Sequence, residues 1–250
     1  MDLELRGKRA LVTGGTRGIG KAVVLALAKD GVDVVTCARG RGESMAALRA
    51  ELDAIGGDHL VCEADIAAPG EAERLAGLCA ARSGRLDLVV HNAAAVGQCG
   101  YRELGLAEWT AVLSANLTAV HELTAAVLPL LGRGSSVVAM SSRSAELGLA
   151  GRAHYTASKA ALQGWSRSLA REYGPSGIRF NLLTLGMVRT EVYDDLAEAD
   201  RAALLARFRP VIALERLAEP AEAADAVRWL ASDLAGYVTG SAVTVDGALC

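Results

Sequence analysis

The sequence predicts an α/β fold, a parallel sheet covered on both faces by helices. Three observations point to it. Short apolar runs alternate with stretches of helical spacing along all 250 residues. A glycine-punctuated turn, Thr13-Gly-Gly-Thr-Arg-Gly-Ile-Gly20, separates the first such run from the first helical stretch. Hydrophobic residues make up 52% of the chain and aromatics only 4%, a balance suited to strands and helices packed closely in layers.

Each element has a local reason. Ala10 to Thr13 reads as a short buried strand, and the helix after the glycine turn runs from Ile19 to about Asp30, where Gly31 ends it. Val32 to Cys37 is a second strand, Ser44 to about Ile55 a helix, and His59 to Glu63 a third strand ahead of Asp65. Glu71 to about Ser83 is helical, and Leu86 to His91 is a fourth strand entering Asn92-Ala-Ala-Ala. Leu106 to Leu131 carries helical spacing, interrupted near Asn116 and ended around Pro129 and Gly132. Val137 to Met140 is a fifth strand, Ala153 to Tyr173 a long helix closed by Gly174-Pro175, and Ile178 to Thr184 a sixth strand. Helical segments at Thr190 to Phe208 and Pro220 to Ser232 precede a last strand, Ala242 to Val245. No linker, repeat or low-complexity stretch divides this order, so one domain spanning 1–250 is expected.

Composition excludes several classes of function. A net charge of -3 without a Lys/Arg-rich run argues against a nucleic-acid surface. The five cysteines (Cys37, Cys62, Cys79, Cys99 and Cys250) are odd in number and form neither a C-x-x-C nor a metal-ligand spacing. A reduced, intracellular chain with no metal site is expected. The N-terminus lacks the apolar core of a signal peptide, and no run approaches the roughly 18 continuous apolar residues of a membrane span. We therefore expect a soluble cytoplasmic protein with no membrane partner.

Two motifs carry chemistry. The glycine turn lies between a strand and a helix, where backbone N–H groups and the positive end of the helix dipole attract a pyrophosphate and glycines permit close approach. Its spacing is G-x-x-x-G-x-G. Further on, Tyr155-Thr-Ala-Ser-Lys159 follows Ser142 by 13 residues. A Tyr and a Lys four residues apart share a helix face, and a neighbouring ammonium favours the phenolate, bringing an ordinary pKa of about 10 toward neutral pH. That is acid/base machinery. Alone, each residue also has an ordinary reading: Ser142 as a turn residue, Asn116 as a helix breaker, Lys159 as a solvated charge, Tyr155 as a core tyrosine.

In this order the motifs resemble those of the short-chain dehydrogenase/reductase family, in its compact single-domain branch, over essentially the whole chain. The family pattern T-G-x-x-x-G-x-G matches Thr13, Gly14, Gly18 and Gly20, and the catalytic set matches Asn116, Ser142, Tyr155 and Lys159. Asp65-Ile66 resembles the adenine contact after the third strand, and Val245-Asp246-Gly247 the closing strand. The resemblance implies a Rossmann-type, doubly wound sheet of about seven parallel strands, a nicotinamide cofactor, and hydride transfer between a carbonyl and an alcohol. Tyr155 would exchange the proton, Ser142 would hydrogen-bond the same oxygen, and Lys159 would lower the phenol pKa and hold the ribose. Asn116 would hold a water linking Lys159 to solvent. Cofactor contacts are expected from Gly14, Thr16, Arg17, Gly18, Ile19, Gly20, Arg39, Asp65, Ile66, Asn92, Tyr155, Lys159, Gly186, Val188 and Thr190.

The end of the second strand selects the cofactor. A free ribose 2'-hydroxyl calls for an Asp or Glu there, and a 2'-phosphate for an Arg. The position is Ala38, followed by Arg39, and Arg17 in the glycine turn offers a second cation. NADP(H) is the expected cofactor, used to reduce a ketone in biosynthesis. An NAD(H)-dependent alcohol dehydrogenase of the same family, a non-catalytic NADP(H)-sensing regulator and an isomerising enzyme are the alternatives.

The chain departs from the family pattern in places. His91-Asn92-Ala93-Ala94 stands where relatives have Asn-Asn-Ala-Gly, Leu185-Gly186 replaces Pro-Gly, and Asp246-Gly247-Ala248 replaces Asp-Gly-Gly. His91 reads as a structural substitute. The substrate walls should be Arg143 to Arg152, Ala95 to Gly100, and a lid at about 187–214. Arg143, Glu146, Arg152 and His154 leave a polar or anionic substrate open. The helices around Asn116 and Tyr155 resemble the family's subunit-packing helices, so a homodimer or homotetramer is expected.

Overall fold

A computed structural model describes residues 3–40 and 42–250; Met1, Asp2 and Arg41 lie outside the described residues. The strands are β1 (Arg9–Thr13), β2 (Asp33–Ala38), β3 (Leu60–Glu63), β4 (Leu86–His91), β5 (Leu131–Ser142), β6 (Arg179–Leu185) and β7 (Ala242–Val245). They form one seven-stranded sheet in the order β3-β2-β1-β4-β5-β6-β7. Every neighbouring pair is parallel, so all carboxyl ends lie at one edge. The order reverses between β1 and β4, which opens a crevice at that edge where α/β sheets bind ligands.

Helices α1 (Gly18–Lys29) and α2 (Glu43–Ile55) cover one face of the sheet, and α3 (Glu71–Ser83) the other. In α1, Val23, Val24, Leu27 and Ala28 fall on one stripe and are buried. The stripe packs with Val12, Val34 and Leu183 from the sheet. The opposite layer joins Leu11, Val89 and Phe180 to Leu75 and Cys79 of α3.

The segment read as one interrupted helix is α4 (Leu106–Leu113), a π turn (Ser114–Thr118), α5 (Ala119–Val127) and a short 3-10 turn to Leu130. The interruption near Asn116 is thus a widened turn, not a break. By length and composition the continuous stretch Leu106–Leu130 is long and apolar enough to cross a membrane, which the sequence reading did not anticipate. In the fold, Val120, Leu123 and Val127 pack against the sheet. Apolar helices that line a soluble core have the same composition.

The remaining elements are α6 (Ser144–Leu147), α7 (Ala153–Tyr173), α8 (Glu191–Asp194), α9 (Glu198–Phe208) and α10 (Pro220–Ala231). β5 begins six residues before the predicted Val137, because Leu131 and Ser136 pair with Leu86 and Leu88 across a register shift. The helical segments expected from Thr190 to Phe208 are α8 and α9. Helix α7 buries an unusual stripe: His154, Ser158, Lys159, Leu162, Ser166 and Ala170. Small and polar side chains bring this helix close to β5 and β6, and they also supply the site.

Candidate active site

The glycine loop follows β1 at the sheet's carboxyl edge. Gly14 and Gly18 have positive φ, +70° and +54°, conformations that favour glycine. Gly20 packs against the Gly14 carbonyl so closely that a Cβ would overlap it. Asn92 secures the loop by donating both hydrogens of its side-chain amide, to the Thr13 and Gly14 carbonyls, each at 3.0 Å. Thr13 Oγ1 accepts from the backbone N–H groups of Asn92 and Ala93 at 3.0 Å. The cofactor contact expected of Asn92 therefore falls on a residue whose amide hydrogens already hold the loop.

These residues fit a dinucleotide. The first turn of α1 contains no acidic side chain, and Arg17, its N-cap, makes no capping hydrogen bond. The Gly18 N–H donates to Glu191 Oε1 at 3.0 Å, so the loop already draws a carboxylate from α8 to the place a pyrophosphate would take. Thr190 lies beside it, its Cγ2 3.3 Å from where a Gly18 Cβ would stand. Thr16 and Gly20 are buried and Ile19 half-buried. Arg17 and Arg39 are exposed. Neither has an ion-pair partner among the described residues, and two unneutralised guanidinium groups suit a 2'-phosphate.

Asp65 and Ile66, expected to meet the adenine, have separate tasks in the fold. Asp65 is exposed, and its Oδ1 accepts the Ala67 N–H at 3.1 Å, fixing the turn after β3; Ile66 is buried in the core. Across the crevice, Gly186 follows β6, with its N–H on the Val245 carbonyl at 3.0 Å. A Cβ there would meet Asp246 Cα at 2.8 Å. Val188 bridges to Ala218.

Ser142 ends β5, and Tyr155 and Lys159 lie on α7 beside it. Lys159 Nζ is 5.8 Å from the centre of the Tyr155 ring and donates to the Met140 carbonyl at 2.8 Å. Burial pulls the ammonium pKa from 10.5 down to about 8. The phenol departs from expectation: its pKa is raised, because burial penalises the phenolate more than the Ser142 hydrogen bond and Arg152 favour it. Lys159 sits over the ring face and is itself desolvated, so the expected lowering does not govern this arrangement.

Asn116 has a structural task beside the one expected of it. Its Oδ1 accepts the Ala95 N–H at 2.7 Å, and its Nδ2 donates to the Ala95 carbonyl at 2.9 Å and to Ser158 Oγ at 3.0 Å. Ser158 Oγ donates in turn to the Tyr155 carbonyl at 2.7 Å. Both amide hydrogens are therefore used in clamping the loop after β4 to the helix that carries Tyr155, which leaves the oxygen atoms of Asn116 as the groups that could hold a water.

His91 is buried with Nε2 on Thr124 Oγ1 at 2.8 Å and packs edge-on against Trp165. Burial, with Lys159 nearby, pulls its pKa down to about 3, so it is neutral, as suits a structural substitute. Arg143 is not a free pocket charge. Its Nε pairs with Asp246 Oδ2 at 2.8 Å, its Nη1 with Glu146, and its Nη2 donates to the Leu249 carbonyl at 3.0 Å. Sequence reasoning missed this, along with Ser144, whose N–H and Oγ both lie on Ser142 Oγ, and Glu191. An S-x-S at a strand end was the available signal for Ser144.

Comparison with known proteins agrees with this geometry. The family model described as Enoyl-(Acyl carrier protein) reductase matches residues 14–249. The 3-oxoacyl-[acyl-carrier-protein] reductase of Synechocystis is 33% identical over 98% of both chains. The reductase of that name from Escherichia coli is 32% identical over 99% of both. Among solved structures, a short-chain dehydrogenase from Burkholderia cenocepacia in complex with NADP is 34% identical, with a TM-score of 0.88 over 97% of this chain and 98% of that one. A short-chain dehydrogenase/reductase from Serratia marcescens is 31% identical, with a TM-score of 0.90 over 98% of each. Identity above 30% along nearly the whole of these chains settles the kinship that the glycine spacing and the Tyr-Lys pair suggest: this chain belongs to the short-chain dehydrogenase/reductase family.

Proposed function

We propose that this protein is an NADPH-dependent ketoreductase that reduces a 3-oxoacyl thioester or a similar apolar ketone in biosynthesis. The observation that carries this reading is the Ser142 hydroxyl at the end of β5 beside the Tyr155 phenol, which stands one helical turn before a buried Lys159. Bound NADPH supplies the hydride. Tyr155 donates its proton to the carbonyl oxygen, and its raised pKa keeps the phenol in the donating form at neutral pH. Ser142 hydrogen-bonds the same oxygen and stabilises the charge that develops on it. Lys159, with a pKa of about 8, carries most of its positive charge at neutral pH and favours the phenolate left after transfer. Asn116 keeps the substrate loop and the catalytic helix in register.

The surroundings favour an apolar substrate over the anionic one left open above. Val96, Leu147, Leu149 and Val192 are exposed on the three segments expected to wall the pocket. Arg143 is held by Asp246, Glu146 and the Leu249 carbonyl. Segment 187–214 is the lid, with Tyr193, Leu204, Leu205 and Phe208 packing on Ile212 and Leu217. The names of the relatives supply the 3-oxoacyl thioester. The family model's description supplies a rival, the enoyl thioester, but two hydroxyl groups aimed at one oxygen suit a carbonyl better than a carbon–carbon double bond.

NADPH oxidation should follow added 3-oxoacyl thioester and not trans-2-enoyl thioester. Tyr155→Phe should cut turnover by at least about a hundredfold with NADPH affinity unchanged. Near-normal turnover in that variant removes Tyr155 as the acid. NADPH binding without any carbonyl-dependent oxidation supports a regulator instead. Five free cysteines accord with a reducing, cytoplasmic setting. Exposed Leu106 and the outer faces of α4, α5 and α7 accord with a homodimer or homotetramer, which sedimentation equilibrium tests.

A further inference from the structure

We propose that Ser144 is a positioning residue that fixes the Ser142 hydroxyl as a donor into the active site. The inference rests on the ketoreductase reading above and adds a residue outside the tetrad of Asn116, Ser142, Tyr155 and Lys159.

A serine hydroxyl has one hydrogen and two lone pairs. The Ser144 N–H can only donate, and it reaches Ser142 Oγ at 3.2 Å. Ser144 Oγ lies 3.0 Å from the same oxygen. Ser144 is buried, at 9% exposure, and its hydroxyl has no other hydrogen-bond partner among the described residues. An undonated hydroxyl hydrogen in such a place is costly, so Ser144 Oγ gives its hydrogen to Ser142. Both lone pairs of Ser142 are then filled, and its one hydrogen has to point elsewhere.

The remaining neighbour is the catalytic phenol. Ser142 hydrogen-bonds Tyr155, and with both its lone pairs filled from Ser144 its hydrogen is what it has left to offer there. The polarity is consistent from end to end: Ser144 to Ser142, and Ser142 to the oxygen in the site. Each donation strengthens the next, because a hydroxyl that accepts becomes a better donor. The backbone also prepares this geometry. Ser144 opens α6, and Ser142, two residues earlier, takes that N–H on its hydroxyl in a short serine turn. A two-residue S-x-S spacing thus serves as a fold element and as a hydrogen-bond rectifier.

The test is a double-mutant cycle with pH profiles, using a 3-oxoacyl thioester and NADPH. Ser144→Ala should lower kcat about three- to tenfold, the size of one hydrogen bond, and leave the KM for NADPH within about twofold. In a Ser142→Ala background, Ser144→Ala should have no further effect. The limb of the pH profile on which Tyr155 ionises should move to higher pH in Ser144→Ala by about half a unit, and Ser144→Thr, which keeps the hydroxyl, should restore both rate and limb. Losses that multiply in the double variant, an unmoved limb, or a Thr variant as slow as the Ala one would each overturn the inference and leave the ketoreductase reading intact. Full turnover in Ser142→Ala alone would overturn both.

Discussion

Replacing Lys159 by Met should make the protein more stable and inactive at once. The ammonium lies in a buried site that lowers its pKa from 10.5 to about 8, which corresponds to roughly 3 kcal/mol of stability withheld at neutral pH. Lys159→Met also removes the hydrogen bond to the Met140 carbonyl, at a cost of about 1 kcal/mol. The net gain is about 2 kcal/mol, or about 4 to 8 °C in Tm for a chain of this size. The pH dependence identifies the cause. Because the folded chain holds this proton less tightly than the unfolded chain, the penalty is full below pH 8, shrinks as pH rises from 8 toward 10.5, and vanishes above. By pH 10 the withheld stability should be under about 1 kcal/mol. Urea unfolding of both proteins at pH 7 and pH 10 measures the difference, in which the ionisation of other groups cancels. A variant less stable than the parent at pH 7, or one whose advantage is the same at both pH values, refutes the reasoning.

Other outcomes follow from the cofactor loop. Gly20→Ala forces a methyl into the Gly14 carbonyl, so it should cost about 3 kcal/mol or more in urea unfolding and abolish NADPH binding; a stable variant that binds NADPH contradicts the close packing. Arg39→Ala should weaken NADPH about tenfold and NADH less than twofold, read by fluorescence titration, since it removes one charge-assisted contact to the 2'-phosphate; equal losses for both would point to a general role. Glu191→Ala should tighten NADPH and NADH by the same factor, about two- to fivefold, because the carboxylate on the Gly18 N–H competes with a pyrophosphate both carry; weaker binding would mean that Glu191 supports the nucleotide.

The sequence made most of the sheet legible because its strands are short apolar runs bounded by glycines or polar turns, as at Thr13 and Gly31. Where legibility failed, tertiary pairing decided. Leu131 to Ser136, with two glycines and an arginine, shows no strand alternation, yet it extends β5 because Leu131 pairs with Leu86 of β4 across a register shift, pairing with β6 beginning only at Ser136. Helix α6 has only four residues, too few to show a period. In the candidate site, the four-residue spacing anticipates that Tyr155 and Lys159 share α7 beside the end of β5, but charge states depend on burial, which such a spacing cannot report. The phenol was expected to shift down and instead shifts up. Arg143 illustrates the same limit: Asp246 is distant in sequence and adjacent only after β6 and β7 pair.

The Asn116 clamp has a consequence for motion. One side chain joins the Ala95 backbone to Ser158 and, through it, to the carbonyl of Tyr155. The substrate loop therefore cannot lift away on its own without breaking bonds that the catalytic helix also needs. Loop and helix should therefore open together, which hydrogen exchange would read as matching protection of their amides. A substrate meets a wall already organised by folding, and less ordering remains to be done when it binds.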